Sequence, residues 1–270
     1  MIRTNLKTDT SVRKIVDRKG NFSLMEYARD ISVCPDEAMQ SYFASKMNIH
    51  KKQLICTLNG NGVITQSGAM QFIMGDVTAS TNIKSAGDLM KKYVGSKITQ
   101  EKVIKPIYTG TGTLVLEPTY NYVLLEDLEE WGGSIVIQDG MFMACSDTVA
   151  MKLTARNTVS SAVLGKEGFF NNCLTGKGIV ALESPVPKEE LIIVDMEDDV
   201  LKVDGNMALA WSKSLKFTVE KTTKTLVGSD FSGEGFVNTY RGTGRVILAP
   251  IKFNENIATP EYTHPYTEVE

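Results

Sequence analysis

Histidine is nearly missing from this chain: among 270 residues only His50 and His264 occur. Imidazole is the usual nitrogen ligand for iron, manganese or zinc, so a cupin-type metal centre lacks donors. Ser-His-Asp catalysis is equally undersupplied, and Gly-x-Ser-x-Gly does not occur. The four cysteines, Cys34, Cys56, Cys145 and Cys173, are scattered and form no C-x-x-C pair, which is the wrong spacing for a zinc site. Cys56 and Cys145 fall inside apolar strand-like runs, where a thiol serves as a small buried hydrophobe. Long apolar runs are missing too. No stretch approaches the roughly 18 residues of a membrane span, and the segment 1–7 has neither a signal-peptide hydrophobic region nor an Arg-rich presequence. A net charge of −3 gives no electrostatic reason to expect nucleic acid or an anionic membrane. Together these absences predict a cytoplasmic, non-enzymatic protein with no catalytic, cofactor-binding or metal-ligating set.

What is present is repetition. Gly110-Thr111-Gly112 returns as Gly176-Lys177-Gly178 and Gly242-Thr243-Gly244, at two intervals of 66 residues, and an apolar run follows each time. Asp139-Gly140 and Asp204-Gly205 likewise precede similar apolar runs, and Lys166-Glu167-Gly168-Phe169 matches Gly233-Glu234-Gly235-Phe236. Three markers in one order indicate a repeated unit. With Ser67-Gly68 in the corresponding earlier place, the chain divides into copies of about 40–117, 118–183 and 184–250. Arms at 1–39 and 251–270 flank them, and the whole is expected to form a single domain.

Composition, 42% hydrophobic and 23% charged, suits a globular core. Segments 107–109, 122–125, 134–137, 191–194 and 200–203 are rich in β-branched and aromatic residues and end in Gly, Asn or Asp turns, so they read as short strands. Several are apolar at nearly every position, as in strands buried on both faces. The clearest helix signal is 85–95. Ala86, Leu89, Met90, Tyr93 and Val94 share one face, Ser85 and Asp88 form a capping box, and Gly95 stands at the end. Weaker helical turns are expected around 159–164. The expected fold is therefore all-β, with one or two short helices.

Each chemically suggestive cluster has a plainer explanation. The groups Glu126, Asp127, Glu129, Glu130 and Asp195, Glu197, Asp198, Asp199 could hold calcium through several carboxylates, but no EF-hand loop is present. Solvated hairpins that discourage stray strand pairing fit better. The Gly pairs precede strands rather than helices, so they read as β corners and not phosphate loops. Lys51-Lys52 and Arg241 with Arg245 are too sparse for a nucleic-acid stripe. Met70, Met74, Met141, Met143 and Met207 follow the Gly turns, which suggests core filling or convergence on one soft apolar pocket.

The run Cys56-Thr57-Leu58-Asn59-Gly60-Asn61-Gly62-Val63, then Gln66-Ser67-Gly68-Ala69-Met70, and later Gly233–Asn238 and Tyr240–Val246 carry a resemblance. From about Ser41 to Pro250 the chain resembles the altered inheritance of mitochondria protein 24 family. The resemblance implies a TRAP-like double-stranded β-helix with pseudo-threefold repetition. It defines no catalytic residues and implies no established activity for prokaryotic members. Fungal members are tied to inner-membrane organisation. The expected function is a self-associating interaction or scaffold protein, because a β body with external strands protects its edges by pairing them. The alternatives are a small-molecule binder or enzyme with a pocket among Met-rich strands or between subunits, and a membrane-associated organiser. Recognition is expected at the helix near Lys91 and Lys92 or at the acidic hairpins.

Overall fold

The computed structural model describes residues 2–81, 105–155, 170–221 and 236–251. They form two antiparallel sheets and one α-helix, α1 (Ala38–Lys46). The first sheet holds nine strands: β1 (Arg13–Lys19), β2 (Phe22–Tyr27), β3 (Lys51–Asn59), β4 (Val63–Thr65), β5 (Met70–Thr81), β6 (Pro106–Leu116), β7 (Tyr122–Asp127), β9 (Phe142–Ser146) and β12 (Ile179–Ser184). The second holds seven: β8 (Ser134–Ile137), β10 (Val149–Ala155), β11 (Phe170–Gly176), β13 (Ile192–Asp204), β14 (Ala208–Ser212), β15 (Lys216–Lys221) and β16 (Phe236–Leu248). The expected all-β class is the observed one. The first sheet curls until its ends approach: Lys19, at the end of β1, reaches Glu130, just beyond β7, at 3.1 Å.

The Gly-x-Gly strands take their partners alike. Leu114, Val180 and Val246 stand 66 residues apart. Leu114 pairs with Cys56 on one side and Ile73 on the other, Val180 with Glu126 and Cys145, and Val246 with Val194 and Trp211. At the glycines the strand changes partner or sheet; β11 lies in the second sheet and β12, just after Gly176-Lys177-Gly178, in the first. Gly176 has φ +138, and a Cβ there would sit 2.5 Å from the Thr148 carbonyl oxygen. At Gly110, φ +123, a Cβ would run into the Asp76 carbonyl oxygen. Only glycine satisfies both conditions, as expected of β corners.

Of the apolar runs expected to be buried on both faces, Val123–Leu125 and Ile135–Ile137 are so, whereas Ile192 and Ile193 on the edge strand β13 are about half exposed. On β3 every residue from Lys52 to Cys56 is buried. Leu54 and Cys56 pack with Phe22, Leu114 and Leu125 on one side, while Ile55 meets Leu6, Met25 and Val115 on the other. Burying each such aliphatic side chain stabilises by about 1.5–3 kcal/mol. These contacts correct one expectation. Much of the segment 1–39 is not an arm: β1 and β2 extend the first sheet through β3, and Phe22 is fully buried. Its pattern is short and half-polar, because only one face of β1 meets the core, so periodicity gave little signal. The helix expected at 85–95 and the turns at 159–164 lie outside the described residues, as does 252–270.

Candidate functional site

The site with the most unsatisfied surface is at the N-terminal end, on α1. Met39, Tyr42, Phe43 and Met47 fall at helical spacing on one face, and that face points to water: they are 73%, 55%, 60% and 74% exposed. The residues turned toward the body are small, Ser41, Ala44 and Ser45. No residue of the helix is buried, so its large apolar side chains do not serve the core as those of an amphipathic helix do. Ile49, 44% exposed, continues the surface beyond the helix end, where its N–H donates to the Ala44 carbonyl at 3.0 Å. Lys46 lies in the same face, its Nζ 5.2 Å from the Tyr42 ring centroid. The rings of Tyr42 and Phe43 meet edge to face at 5.5 Å.

Polar contacts fasten α1 from beneath. His50 Nε2–H donates to the Ser45 carbonyl at 3.2 Å, a bond only the Nε2-protonated ring can make. Its Nδ1 stands 3.1 Å from Glu26 Oε1, close enough for ion pairing but not aligned as a hydrogen bond. Lys52 is buried; its Nζ donates to the His50 carbonyl at 2.9 Å and lies 4.3 Å from the Tyr122 ring centroid. Burial pulls its pKa down, and Glu26 and Glu189 oppose that only in part. Lys51 pairs with Asp30 at 2.5 Å, and Tyr120 Oη–H donates to the same carboxylate at 2.6 Å. Burial would raise the Asp30 pKa, yet these hydrogen bonds outweigh it and hold the carboxyl below its ordinary value.

Beside this network is an open groove of about 480 Å³, lined by Arg13, Tyr27, Arg29, Lys51, Gln53 and Gln71 among others. Its floor is largely self-satisfied. Tyr27 Oη–H donates to Gln53 Oε1 at 3.1 Å, and Gln53 Nε2 donates to Gln71 Oε1 at 2.6 Å and to the Leu116 carbonyl at 2.9 Å. What the groove offers a ligand is positive charge from its rim.

The residues singled out from sequence lie elsewhere. Cys56, Cys145 and Cys173 are buried and Cys34 is exposed. Burial drives the Cys56 thiol far up and lifts Cys145 to about 12. The acidic groups serve the body. Asp127 Oδ1 accepts from the Glu129 N–H at 3.0 Å, Glu126 Oε2 accepts from Trp131 Nε1–H at 3.0 Å, and Asp195 binds Arg245 at 2.7 Å. Among the described residues no three His, Cys, Asp or Glu side chains gather as a metal would need. Arg241 is held by Glu220 at 2.5 Å. The methionines do not converge: Met141, Met143, Met74 and Met207 belong to four different apolar clusters, and Met70 is 40% exposed. Their sequence offsets place them on different strands and opposite faces. Lys91, Lys92 and His264 lie outside the described residues. The missed element was α1, although its signal was in the sequence as Met39, Tyr42, Phe43 and Met47 at helical spacing.

Comparison with known proteins agrees with this body. A crystal structure of protein SPYM3_0169 from Streptococcus pyogenes superposes with a TM-score of 0.55 at 20% identity, covering 89% of this chain and 94% of that one. At this identity the likeness is one of fold. The uncharacterized protein M6_Spy0233 of Streptococcus pyogenes serotype M6 is 24% identical over 208 residues, 74% of this chain and 82% of its own length. No helix among the described residues is long and apolar enough to cross a membrane. The model of the mitochondrial biogenesis AIM24 family matches residues 46–251, and the chain belongs to that family.

Proposed function

We propose that this protein is a non-enzymatic, cytoplasmic scaffold that works by associating with itself. The observation that carries the reading is the outward apolar face of α1. Monomeric soluble proteins rarely expose a continuous apolar surface of this kind unless it is an interaction site. Edge strands add to it: Ile192, Ile193 and Val200 on β13 are about half exposed. The three-copy construction fits a rigid body that displays surfaces rather than one that encloses a reaction.

Native mass spectrometry on gently purified protein tests this directly. The expected spectrum is a discrete oligomer of bare chains. A monomer at micromolar concentration overturns the reading.

A second reading rests on the groove. Arg13 and Arg29 line it beside the Lys51–Asp30 ion pair, and their two positive charges suit a small anionic ligand such as a carboxylate or phosphate ester. Such a ligand would appear in the same spectrum as a stoichiometric added mass, and would raise the melting temperature with the logarithm of its concentration once above its Kd.

A further inference from the structure

We infer that the self-association surface is α1 itself, packed antiparallel against α1 of a second copy across a twofold axis. This rests on the scaffold reading above and names the partner and the contact.

Area supports it. Met39, Tyr42, Phe43, Met47 and Ile49 have exposures between 44% and 74%. With about 200 Å² for a large side chain, they present about 600 Å² per copy. Two such faces bury roughly 1,200 Å², the lower end of specific interfaces. An isologous contact lets one apolar patch cover itself without creating an open chain of contacts.

Charge supports it further. The helix carries one cation, Lys46, at its carboxyl end, and two exposed anions, Asp36 and the N-cap residue Glu37, stand at its amino end. In an antiparallel pair with the axis at the level of Ser41, position 36 of each copy lies opposite position 46 of the other, so Asp36 approaches Lys46. A parallel pair would set like charges together. The antiparallel pair also places each helix amino end beside the other's carboxyl end, which the helix dipoles favour. Phe43 of one copy then lies level with Met39 of the other on each side of the axis, so an exposed ring meets an exposed thioether.

The small inward residues and the His50–Ser45 bond hold α1 in place without consuming its apolar side chains.

Sedimentation velocity on the full chain tests the proposal, at about 20 µM, where a micromolar dimer is populated. Wild type should sediment as a dimer, or as a multiple of dimers if other surfaces also pair. Phe43→Glu should weaken association at least about 30-fold, because a charge would be buried at the contact centre. Lys46→Glu and Asp36→Lys should each weaken it alone, and an equimolar mixture of the two should recover dimer as heterodimer. That recovery depends on the antiparallel pairing and not on folding; unchanged far-ultraviolet circular dichroism would show each variant folded. If wild type associates and Phe43→Glu associates equally well, the helix contact is wrong while the scaffold reading survives. If wild type is a monomer, both fall, and co-sedimentation with anionic phosphatidylserine vesicles would then assign the surface to a lipid.

Discussion

Trp211, Phe217 and Tyr240 pack ring against ring with centroids 5.3 to 5.7 Å apart, and Trp211 and Tyr240 are 3% and 1% exposed. Tyr42 and Phe43 meet at 5.5 Å as well, yet 55% and 60% of their surfaces face water. The residue types and ring geometry are alike; the surroundings differ. In the second sheet the rings sit among Val136, Cys173 and Val246, and their burial helps to fold the chain. On α1 the rings stand on a helix whose inward residues are small, and they contribute little burial to the fold. Aromatic content therefore says nothing about role until burial is known.

The sharpest way to break this comparison is to truncate one ring in each region. Tyr240→Ala should cost about 4 kcal/mol, since a large buried side chain leaves a cavity that the sheets cannot close. Phe43→Ala should change the stability of the dissociated chain by no more than about 0.5 kcal/mol. Urea denaturation below the association range measures both. A loss above about 2 kcal/mol for Phe43→Ala would mean that α1 belongs to the body after all.

Backbone geometry gives the next largest difference. Gly176→Ala places a methyl group at φ +138 against the Thr148 carbonyl. Strain of this kind costs about 1–3 kcal/mol before any clash is counted, so a loss near 3 kcal/mol is expected. A loss under about 1 kcal/mol would show that this corner relaxes, and that the body is less rigid than its side-chain packing implies.

The two regions were not equally legible. The recurrence of Gly110, Gly176 and Gly242 exposed the corners because positive φ at all three, with close backbone approach at Gly110 and Gly176, leaves one residue type. Strands such as Ile135-Val136-Ile137 were legible because β-branched runs have few other uses. The β1–β2 hairpin was not, since Arg13–Lys19 alternates around a single half-buried face and resembles a polar arm. Helix α1 was overlooked for a different reason. Its apolar spacing was regular, but the search for a helix follows faces that serve the core, and this face does not. The Met set misled for a related reason: its offsets from the turn glycines run from one to six residues, and a one-residue change in register reverses the face.

Thiol chemistry sharpens the contrast by one titration. Cys34 is exposed and Cys145 buried, so maleimide should label Cys34 in the native protein and Cys145 only after denaturation. Burial raises the Cys145 pKa from its ordinary 9.0 to about 12. The folded state thus keeps a proton that the unfolded state releases. Stability from this group is complete below pH 9 and is lost as pH rises toward 12, at about 1.4 kcal/mol per pH unit. Cys145→Ala should flatten the alkaline fall by that slope. A slope unchanged from wild type would contradict the burial assignment.

The smallest expected effect concerns cations resting on rings. Lys46 stands 5.2 Å from the Tyr42 ring centroid in the outward patch. Arg245 stands 5.8 Å from the Trp131 ring centroid and is paired with Asp195, which ties β13 and β16 to the turn that follows β7. The hydrogen bond from Arg245 is the main reason the Asp195 pKa lies below its ordinary value, with burial opposing it weakly. Stability from the pair is therefore present above the ordinary carboxylate pKa and is lost as pH falls through the lowered one. Asp195 is 66% exposed at its side chain, so water and salt screen the attraction. Asp195→Asn should cost about 0.5 kcal/mol in low salt and less in 0.5 M sodium chloride, a concentration at which screening acts within roughly 4 Å. The association constant should not move, because this pair holds the body together while Lys46 faces outward. A change in association on Asp195→Asn would place the contact on the second sheet and erase the division between a folding region and a docking region.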